Sequence, residues 1–203
     1  MEFEFGTNPC SEIILRPYQF CNLTEVVVKS SDTLETLAEK VRLATILGTF
    51  QSTLTYFPYL RKIWKENTEE ERLLGVSLTG IMDSHLMNGR TGGAFGIKKL
   101  LEELKDVAID TNKELAATLG INPSTAITCV KPSGTVSQLV DSSSGIHPRH
   151  SRFYIRSVRA DNKDPLTQFL KDAGVRWEPE LLKPDQTTVF FFPQKAPDGA
   201  ITR

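Results

Sequence analysis

Two of the three cysteines lie in one short stretch near the start of the chain, GTNPCSEIILRPYQFCNL, at residues 6–23. Cys10 has Asn8 two positions before it and Glu12 two positions after it, and Cys21 follows eleven residues later. In an extended or looped backbone, residues two apart point to the same side. We therefore expect an amide, a thiol and a carboxylate to converge on one ligand.

The chemistry open to this group depends on the carboxylate. A carboxylate beside a thiol disfavours the thiolate, so Glu12 argues against Cys10 as an ionic nucleophile. A thiol hydrolase that pairs Cys10 with His147 is the weaker alternative. A protonated thiol suits another task, which is to give up a hydrogen atom while the carboxylate removes a proton from the substrate. Cys21 would bring a second thiol to the same site. A lone cysteine is otherwise usually a small buried side chain.

Composition sets the broad class. The 203 residues are 39% hydrophobic and 24% charged, with a formal net charge of −1, which is typical of a soluble globular protein. The near-neutral charge predicts neither a nucleic-acid nor a membrane partner. There is no long apolar run and no signal peptide, so we expect a cytoplasmic protein. Three cysteines fit no closed disulfide framework, and their spacing relative to His147 and His150 predicts no metal site.

Hydrophobic patterns predict alternating strands and helices. Asp32 and Glu35 suggest a capping box at the start of the first helix, and Gly120 is the expected end of the longest one. Strands separated by helices indicate parallel pairing with helical crossovers, hence an α/β fold. The predicted strands are 20–28, 73–81, 125–130, 153–159 and 187–193. The predicted helices begin near residues 33, 59, 97 and 164, and residues 131–140 are expected to turn into a further short helix.

A second candidate site is the segment KPSGTVSQL at residues 131–139, between a predicted strand and a short helix. Backbone N–H groups and the hydroxyls of Ser133, Thr135 and Ser137 could point at an anion there. The segment is not a Walker loop, and an ordinary strand–helix turn is the alternative. Cys129, in the preceding strand, is expected to be a core residue.

These motifs resemble a known family. TNPCSEI…CNL is similar to the active-site finger loop of ribonucleotide reductases, and most closely to that of the adenosylcobalamin-dependent (class II) ribonucleoside-triphosphate reductases. ITCVKPSGTVSQLVDSSSGIHPRHSRFYIRSVRADNKDPL resembles the same class. The resemblance implies a ten-stranded α/β barrel, with residues 1–203 as its second, C-terminal half. The finger loop would be about 6–18 and the phosphate loop about 131–138.

The resemblance also implies roles. Cys10 would carry the thiyl radical, Glu12 would accept the 3′-hydroxyl proton, Asn8 would hydrogen-bond the substrate, and Cys21 would be one of two redox-active cysteines. Adenosylcobalamin would supply the first radical. The substrate would be a ribonucleotide, and a thioredoxin-like protein would be the reductant. The substrate phosphates would meet Pro132, Ser133, Gly134, Thr135, Val136 and Ser137.

Other readings stay open. The glycyl-radical class lacks the Glu12 and Cys21 counterparts, whereas the diiron-dependent class shares NPC.E but has a differently worded phosphate loop. The family's partner for Cys21, its effector region and its C-terminal cysteine pair have no match in this sequence, and Cys129 is not matched to that partner. We therefore expect a complementary N-terminal half to cover the exposed sheet edges. The alternative is an inert half-domain that binds a phosphate or a partner chain without catalysis.

Overall fold

The computed structural model describes residues 4–203, so residues 1–3 of the predicted partial barrel lie outside the described part. The chain forms two compact units. The first extends to Arg149 and includes Asp198–Ile201, and the second comprises His150–Pro197 with Thr202–Arg203. The predicted mixture of helices and strands is confirmed in both units.

The strands of the first unit frame both candidate loops. A short antiparallel hairpin, β1 (Gly6–Thr7) with β2 (Ile14–Leu15), encloses the Cys10 segment. The parallel strands β3 (Asn22–Val27) and β4 (Leu74–Thr79) form the central pair. The predicted strand at 125–130 lies along the other edge of β4, where it forms a single parallel bridge, Val76 with Thr128. Parallel pairing is thus confirmed for this unit.

Within residues 4–203, the first unit contains four α-helices and a 3-10 helix at Ile81–Asp83; the α-helices are α1 (Leu34–Gln51), α2 (Lys62–Glu71), α3 (Gly93–Leu119) and α4 (Val136–Leu139). Helix α3 begins four residues before the predicted start and ends at the predicted Gly120, which has a left-handed backbone with φ of 65°. No helix within residues 4–203 is long and apolar enough to cross a membrane.

The predicted cap of α1 is wrong. The N-cap is Thr33, whose side chain accepts the N–H of Thr36, while the Thr36 hydroxyl accepts the N–H of Thr33. Asp32 is engaged elsewhere, because its carboxylate accepts the Lys29 N–H at 2.7 Å and pairs with Lys40 at 2.6 Å. A tertiary ion pair thus removes Asp32 from the capping role.

The core of the first unit lies between the β3–β4 pair and helices α1 and α3. Alternate strand residues Val26, Val28 and Val76 point into it. Since side chains alternate along a strand, Leu23 and Glu25 of β3 point to the opposite face. We call this opposite face of β3, together with the same face of β4 and of residues 126–131, the loop face. The helix residues in the core are Leu37, Val41, Ala44, Leu104 and Ala108.

The second unit is an antiparallel sheet in the order β5–β7–β6, formed by β5 (Phe153–Asp161), β6 (Trp177–Pro179) and β7 (Thr187–Lys195). Helix α5 (Pro165–Asp172) follows β5 and begins with Pro at its first turn, as predicted. Parallel pairing is wrong here. Asp161 at the end of β5 pairs with Thr187 at the start of β7, so the chain returns beside itself and α5 is not a crossover.

Candidate active site

The loop around Cys10 is a tight turn rather than an extended segment. Ser11 donates its N–H to the Asn8 carbonyl at 2.9 Å, and the Asn8 N–H reaches the Ile13 carbonyl at 3.2 Å. The Asn8 side-chain oxygen accepts the Ile13 N–H at 3.1 Å. Ser11 has a left-handed backbone with φ of 62°. Asn8 therefore organises the loop, and the turn determines where Cys10 and Glu12 point.

Cys10 and Glu12 meet at one cation. The Lys131 ammonium lies 2.9 Å from Glu12 Oε1 and 3.9 Å from Cys10 Sγ. Cys10 is exposed, whereas the Glu12 side chain is only 3% exposed. The Lys131 N–H donates to Ser77 Oγ on β4 at 2.9 Å. In the described residues Cys10 has this contact and no hydrogen bond to His147, so a thiol hydrolase finds no geometric support.

Glu12 carries an unused acceptor. Burial raises the pKa of Glu12, but the hydrogen bond from Lys131 and the neighbouring Asn8 side chain together outweigh it, so the pKa lies below its usual value. The hydrogen bond to Glu12 raises the pKa of Lys131. Both groups are therefore charged at neutral pH. Glu12 Oε2 is buried and has no hydrogen-bond partner within residues 4–203. Such an oxygen can accept a proton or a hydrogen bond from a ligand.

The other two thiols lie on the loop face. Burial, and secondarily the proximity of Cys129 and Glu12, raises the pKa of Cys21 to about 12. Burial, and then Glu12, raises the pKa of Cys129 to about 11. Cys129 Sγ lies 3.0 Å from the position that a Cβ on Gly75 would take. Cys129, expected in the core, is therefore near the site, and both thiols are protonated at neutral pH.

The positions of Cys21 and Cys129 do not allow a direct disulfide. Cys21 immediately precedes β3, and Cys129 belongs to the segment on the other side of β4. Adjacent strands are about 4.8 Å apart, so two strands separated by a third are about 10 Å apart. A disulfide needs Cα atoms within about 7 Å. Both residues are free thiols in this structure.

The predicted phosphate loop uses two of its three hydroxyls internally. Ser133 Oγ donates to Glu25 Oε2 at 2.8 Å, and Ser137 Oγ donates to the Gly134 carbonyl at 2.7 Å. Ser133 and Ser137 are both buried, whereas Thr135 is exposed. The groups of the loop that face solvent are therefore the Thr135 hydroxyl and the backbone of its exposed residues, Pro132, Gly134, Thr135 and Val136.

Glu25 is a site residue that the sequence interpretation missed. It lies on β3, four residues after Cys21 and hence on the same strand face. Its Oε1 is buried and has no hydrogen-bond partner among the residues described. The alternation Cys21–Leu23–Glu25 could have revealed it, because it places Glu25 on the same strand face as Cys21, and a carboxylate in a half-buried strand is costly unless it has a partner or a function.

Comparison with known proteins identifies the relationship. No protein-family model matches the chain. The adenosylcobalamin-dependent ribonucleoside-triphosphate reductase of Lactobacillus delbrueckii subsp. bulgaricus is 30% identical over 94% of this chain and 28% of its own length. Those of Lactobacillus gasseri and Euglena gracilis are 32% and 31% identical, each over 94% of this chain. The chain is homologous to a portion of class II ribonucleotide reductases.

A solved structure agrees with this relationship. The crystal structure of a B12-dependent class II ribonucleotide reductase superposes with a TM-score of 0.79 and 28% identity. It matches 98% of this chain but 31% of the reductase chain. The homology thus covers both units, and the chain spans about three tenths of the length of the reductases it matches.

One further feature of this reductase-like chain holds the loop that follows α4. Burial lowers the pKa of Arg149, but Asp83 and Asp141 raise it by more, so the pKa lies above its usual value and the guanidinium stays charged. Arg149 lies 3.0 Å from Asp83, and both side chains are 3% exposed. Asp83 also accepts the Ser143 N–H at 2.8 Å. Within residues 4–203 no three His, Cys, Asp or Glu side chains are grouped to hold a metal ion.

Proposed function

We propose that this chain provides the radical-bearing side of a class II ribonucleotide reductase active site, which reduces ribonucleoside triphosphates to 2′-deoxyribonucleotides. The observation that carries the proposal is the loop geometry. An exposed thiol, Cys10, lies beside a buried, ionised carboxylate, Glu12, whose Oε2 is unpartnered among the described residues. Homology to class II reductases supports the same assignment.

In this proposal the loop residues act on the ribose 3′ position. Cys10, as a thiyl radical, takes the hydrogen atom from C3′, which leaves an S–H bond and a substrate radical. Glu12 Oε2 accepts the proton of the 3′-hydroxyl, because Oε1 is already held by Lys131. The Asn8 amide keeps the turn in shape through Ile13 and hydrogen-bonds the substrate. Cys10 returns the hydrogen atom to C3′ at the end.

Cys21 acts on the 2′ position. Because its pKa is raised, the Cys21 thiol is protonated and can donate the proton with which the 2′-hydroxyl leaves as water. The two electrons come from two thiols, which become a disulfide. We propose that the second thiol belongs to polypeptide outside these 203 residues, since β4 separates Cys21 from Cys129. A thioredoxin-like reductant would then reduce the disulfide.

The same proposal gives the chain its place in a barrel. β3, β4 and the segment 126–130 run parallel, and α1 and α3 pack on one face of them. Parallel strands with outer helices are the elements of an α/β barrel. We infer that residues 6–18 are the finger loop on the inner face of a second half-barrel. A complementary N-terminal half, on the same or another chain, would supply the remaining strands.

The substrate phosphates are assigned to the exposed part of residues 132–137. Pro132, Gly134, Thr135 and Val136 would present backbone groups and the Thr135 hydroxyl to the phosphate oxygens. Ser133 and Ser137 would shape the loop rather than bind, because both hydroxyls already donate within the protein.

Adenosylcobalamin would supply the first radical when bound. The exposed Cys10 thiol fits access from the open side of the loop. Its neighbours Glu12 and Lys131 are occupied with each other, and no side chain within residues 4–203 is assigned to hold the corrin ring. The cofactor would then be held largely by the complementary part of the enzyme.

The decisive experiment uses nucleotide labelled with tritium at C3′. The chain, together with the complementary polypeptide, adenosylcobalamin and a dithiol, should release tritium and form deoxynucleotide. Nucleotide binding without either product would favour the inert half-domain. Turnover that requires a diiron protein in place of adenosylcobalamin would favour the diiron-dependent class. If the chain neither binds nucleotide nor turns it over under these conditions, the proposal is overturned.

A further inference from the structure

Lys131 joins the two candidate loops. Its ammonium contacts Glu12 at 2.9 Å and Cys10 at 3.9 Å, while the residue itself begins the segment that leads into the phosphate loop. The charged and titratable groups around Glu12 are Cys10 on its own loop, Cys21 at the start of β3, and Cys129 and Lys131 on the segment beside β4. Of these four, Lys131 is the cation.

We propose that Lys131 is the positioning residue for Glu12: it occupies Oε1, fixes the plane of the carboxylate and leaves Oε2 as the acceptor for the substrate hydroxyl. This assignment rests on the proposed function for its catalytic meaning. Its physical basis is independent, because a carboxylate that is 3% exposed is costly to bury in ionised form without a partner. Lys131 satisfies that need without covering the second oxygen, which remains unpartnered within residues 4–203.

Lys131 is itself fixed at its backbone. Its N–H donates to Ser77 Oγ on β4 at 2.9 Å, so the base of the side chain cannot move away from the sheet. The side chain is 27% exposed, which leaves the ammonium partly solvated and able to stay protonated. The next residues are the proposed phosphate loop, so the residue that orients the base is covalently continuous with the segment that would hold the nucleotide.

The first test is made on the 203-residue chain without nucleotide or cofactor. The Glu12 carboxyl is followed by carbon-13 NMR during a pH titration, with its signal assigned through Glu12→Gln. In Lys131→Met the apparent pKa of Glu12 should rise, because burial is then unopposed by the cation. Lys131→Arg should restore a low pKa, and Lys98→Met, which removes an exposed helical lysine, should leave it unchanged. If Lys131→Met fails to fold, Lys131→Gln removes the charge but keeps a hydrogen-bond donor, so the pKa of Glu12 should rise by a smaller amount.

An unchanged Glu12 titration in the folded Lys131→Met or Lys131→Gln chain would overturn the proposal. The second test uses the reconstituted enzyme and tritium release from C3′. A base must be ionised to act, so a higher pKa for Glu12 should move the acid limb of the pH–rate profile to higher pH. The KM for nucleotide should change little, and Lys131→Arg should restore the profile.

A pH–rate profile that is unchanged in Lys131→Met would also overturn the positioning role. Failure of the proposed function gives a different pattern. The wild-type enzyme would then release no tritium, whereas the titration of the isolated chain would still show whether Lys131 controls the protonation of Glu12.

Discussion

The Cys10 loop and the phosphate loop lie on the same face of one sheet and meet at Lys131, but they use their side chains in opposite ways. The Cys10 loop exposes a thiol and buries a carboxylate with an oxygen that has no partner within residues 4–203. The phosphate loop buries Ser133 and Ser137, both already hydrogen-bonded, and exposes its backbone. The first loop is suited to react, and the second to hold a ligand through backbone groups. Each can therefore be tested by a different kind of substitution.

The largest effect is expected at Cys10. Cys10→Ser should abolish nucleotide reduction by the reconstituted enzyme, because a hydroxyl O–H bond is too strong for the hydrogen-atom relay. Deoxynucleotide formation is the measurement, and Cys129→Ser, which changes a neighbouring thiol, is the matched control with activity retained. Multiple turnovers by Cys10→Ser would show that the reactive residue of this loop lies elsewhere.

The second prediction separates the two half-buried thiols, Cys21 and Cys129. Cys21→Ser should still release tritium from C3′, since Cys10 and Glu12 are intact, but should form no deoxynucleotide beyond background. Cys129→Ser should release tritium and also form deoxynucleotide, because β4 separates Cys129 from Cys21 and the proposed reaction does not use the Cys129 thiol. Normal turnover by Cys21→Ser with thioredoxin as the reductant would contradict the proposed role of Cys21.

The third prediction tests the division of labour within the phosphate loop. Ser133→Ala leaves the Glu25 carboxylate without its donor, so it should lower the free energy of unfolding by about 1–3 kcal/mol. Thr135→Ala should leave stability unchanged and weaken nucleotide binding by about 1 kcal/mol, the loss of one hydrogen bond. Denaturation and calorimetry measure the two quantities. The reverse pattern would mean that Ser133 binds the ligand.

The smallest effect concerns acid stability. The pKa of Glu12 is lowered in the folded chain, so its ion pair stabilises the fold fully above the unfolded pKa, which is about 4.3. This contribution is lost as the pH falls through the folded pKa. Glu12→Gln should therefore lose less stability than wild type between pH 7 and pH 3, by about 1 kcal/mol or less because Lys131 is partly solvated. Equal losses in thermal unfolding would show that the pair does not contribute.

Local sequence patterns were sufficient for much of the first unit. The β-branched run of β3, the apolar run of β4 and the glycine that ends α3 each depend on near neighbours in the chain. In the second unit local patterns predicted β5, α5 and β7 but not their antiparallel pairing, because the pairing of Asp161 with Thr187 depends on a chain return that no local pattern signals. The cap of α1 failed similarly, since Lys40 binds Asp32 from two turns along the helix.

The candidate site shows the same limit more sharply. The short motif was enough to select Asn8, Cys10 and Glu12 as a group. Lys131 was not predicted as their partner, because it lies 119 residues from Glu12 in sequence and meets it only in the folded chain. The place of Cys129 depends on the bridge between Val76 and Thr128, which sets the face on which its thiol lies.

Gly75 has a consequence for the height of the Cys10 loop above the sheet. A Cβ there would collide with Leu23 and would lie 3.0 Å from Cys129 Sγ and 3.3 Å from the Ile13 side chain. Ile13 adjoins Glu12, so the absence of a Cβ at Gly75 allows Ile13, and with it the Glu12 carboxylate, to lie close to the sheet. A single methyl group at position 75 would displace Ile13 by a few tenths of an ångström, and chemistry of this kind tolerates about 0.5 Å. If the proposed function holds, Gly75 on β4 therefore helps to set the position of Glu12 from the far side of Ile13.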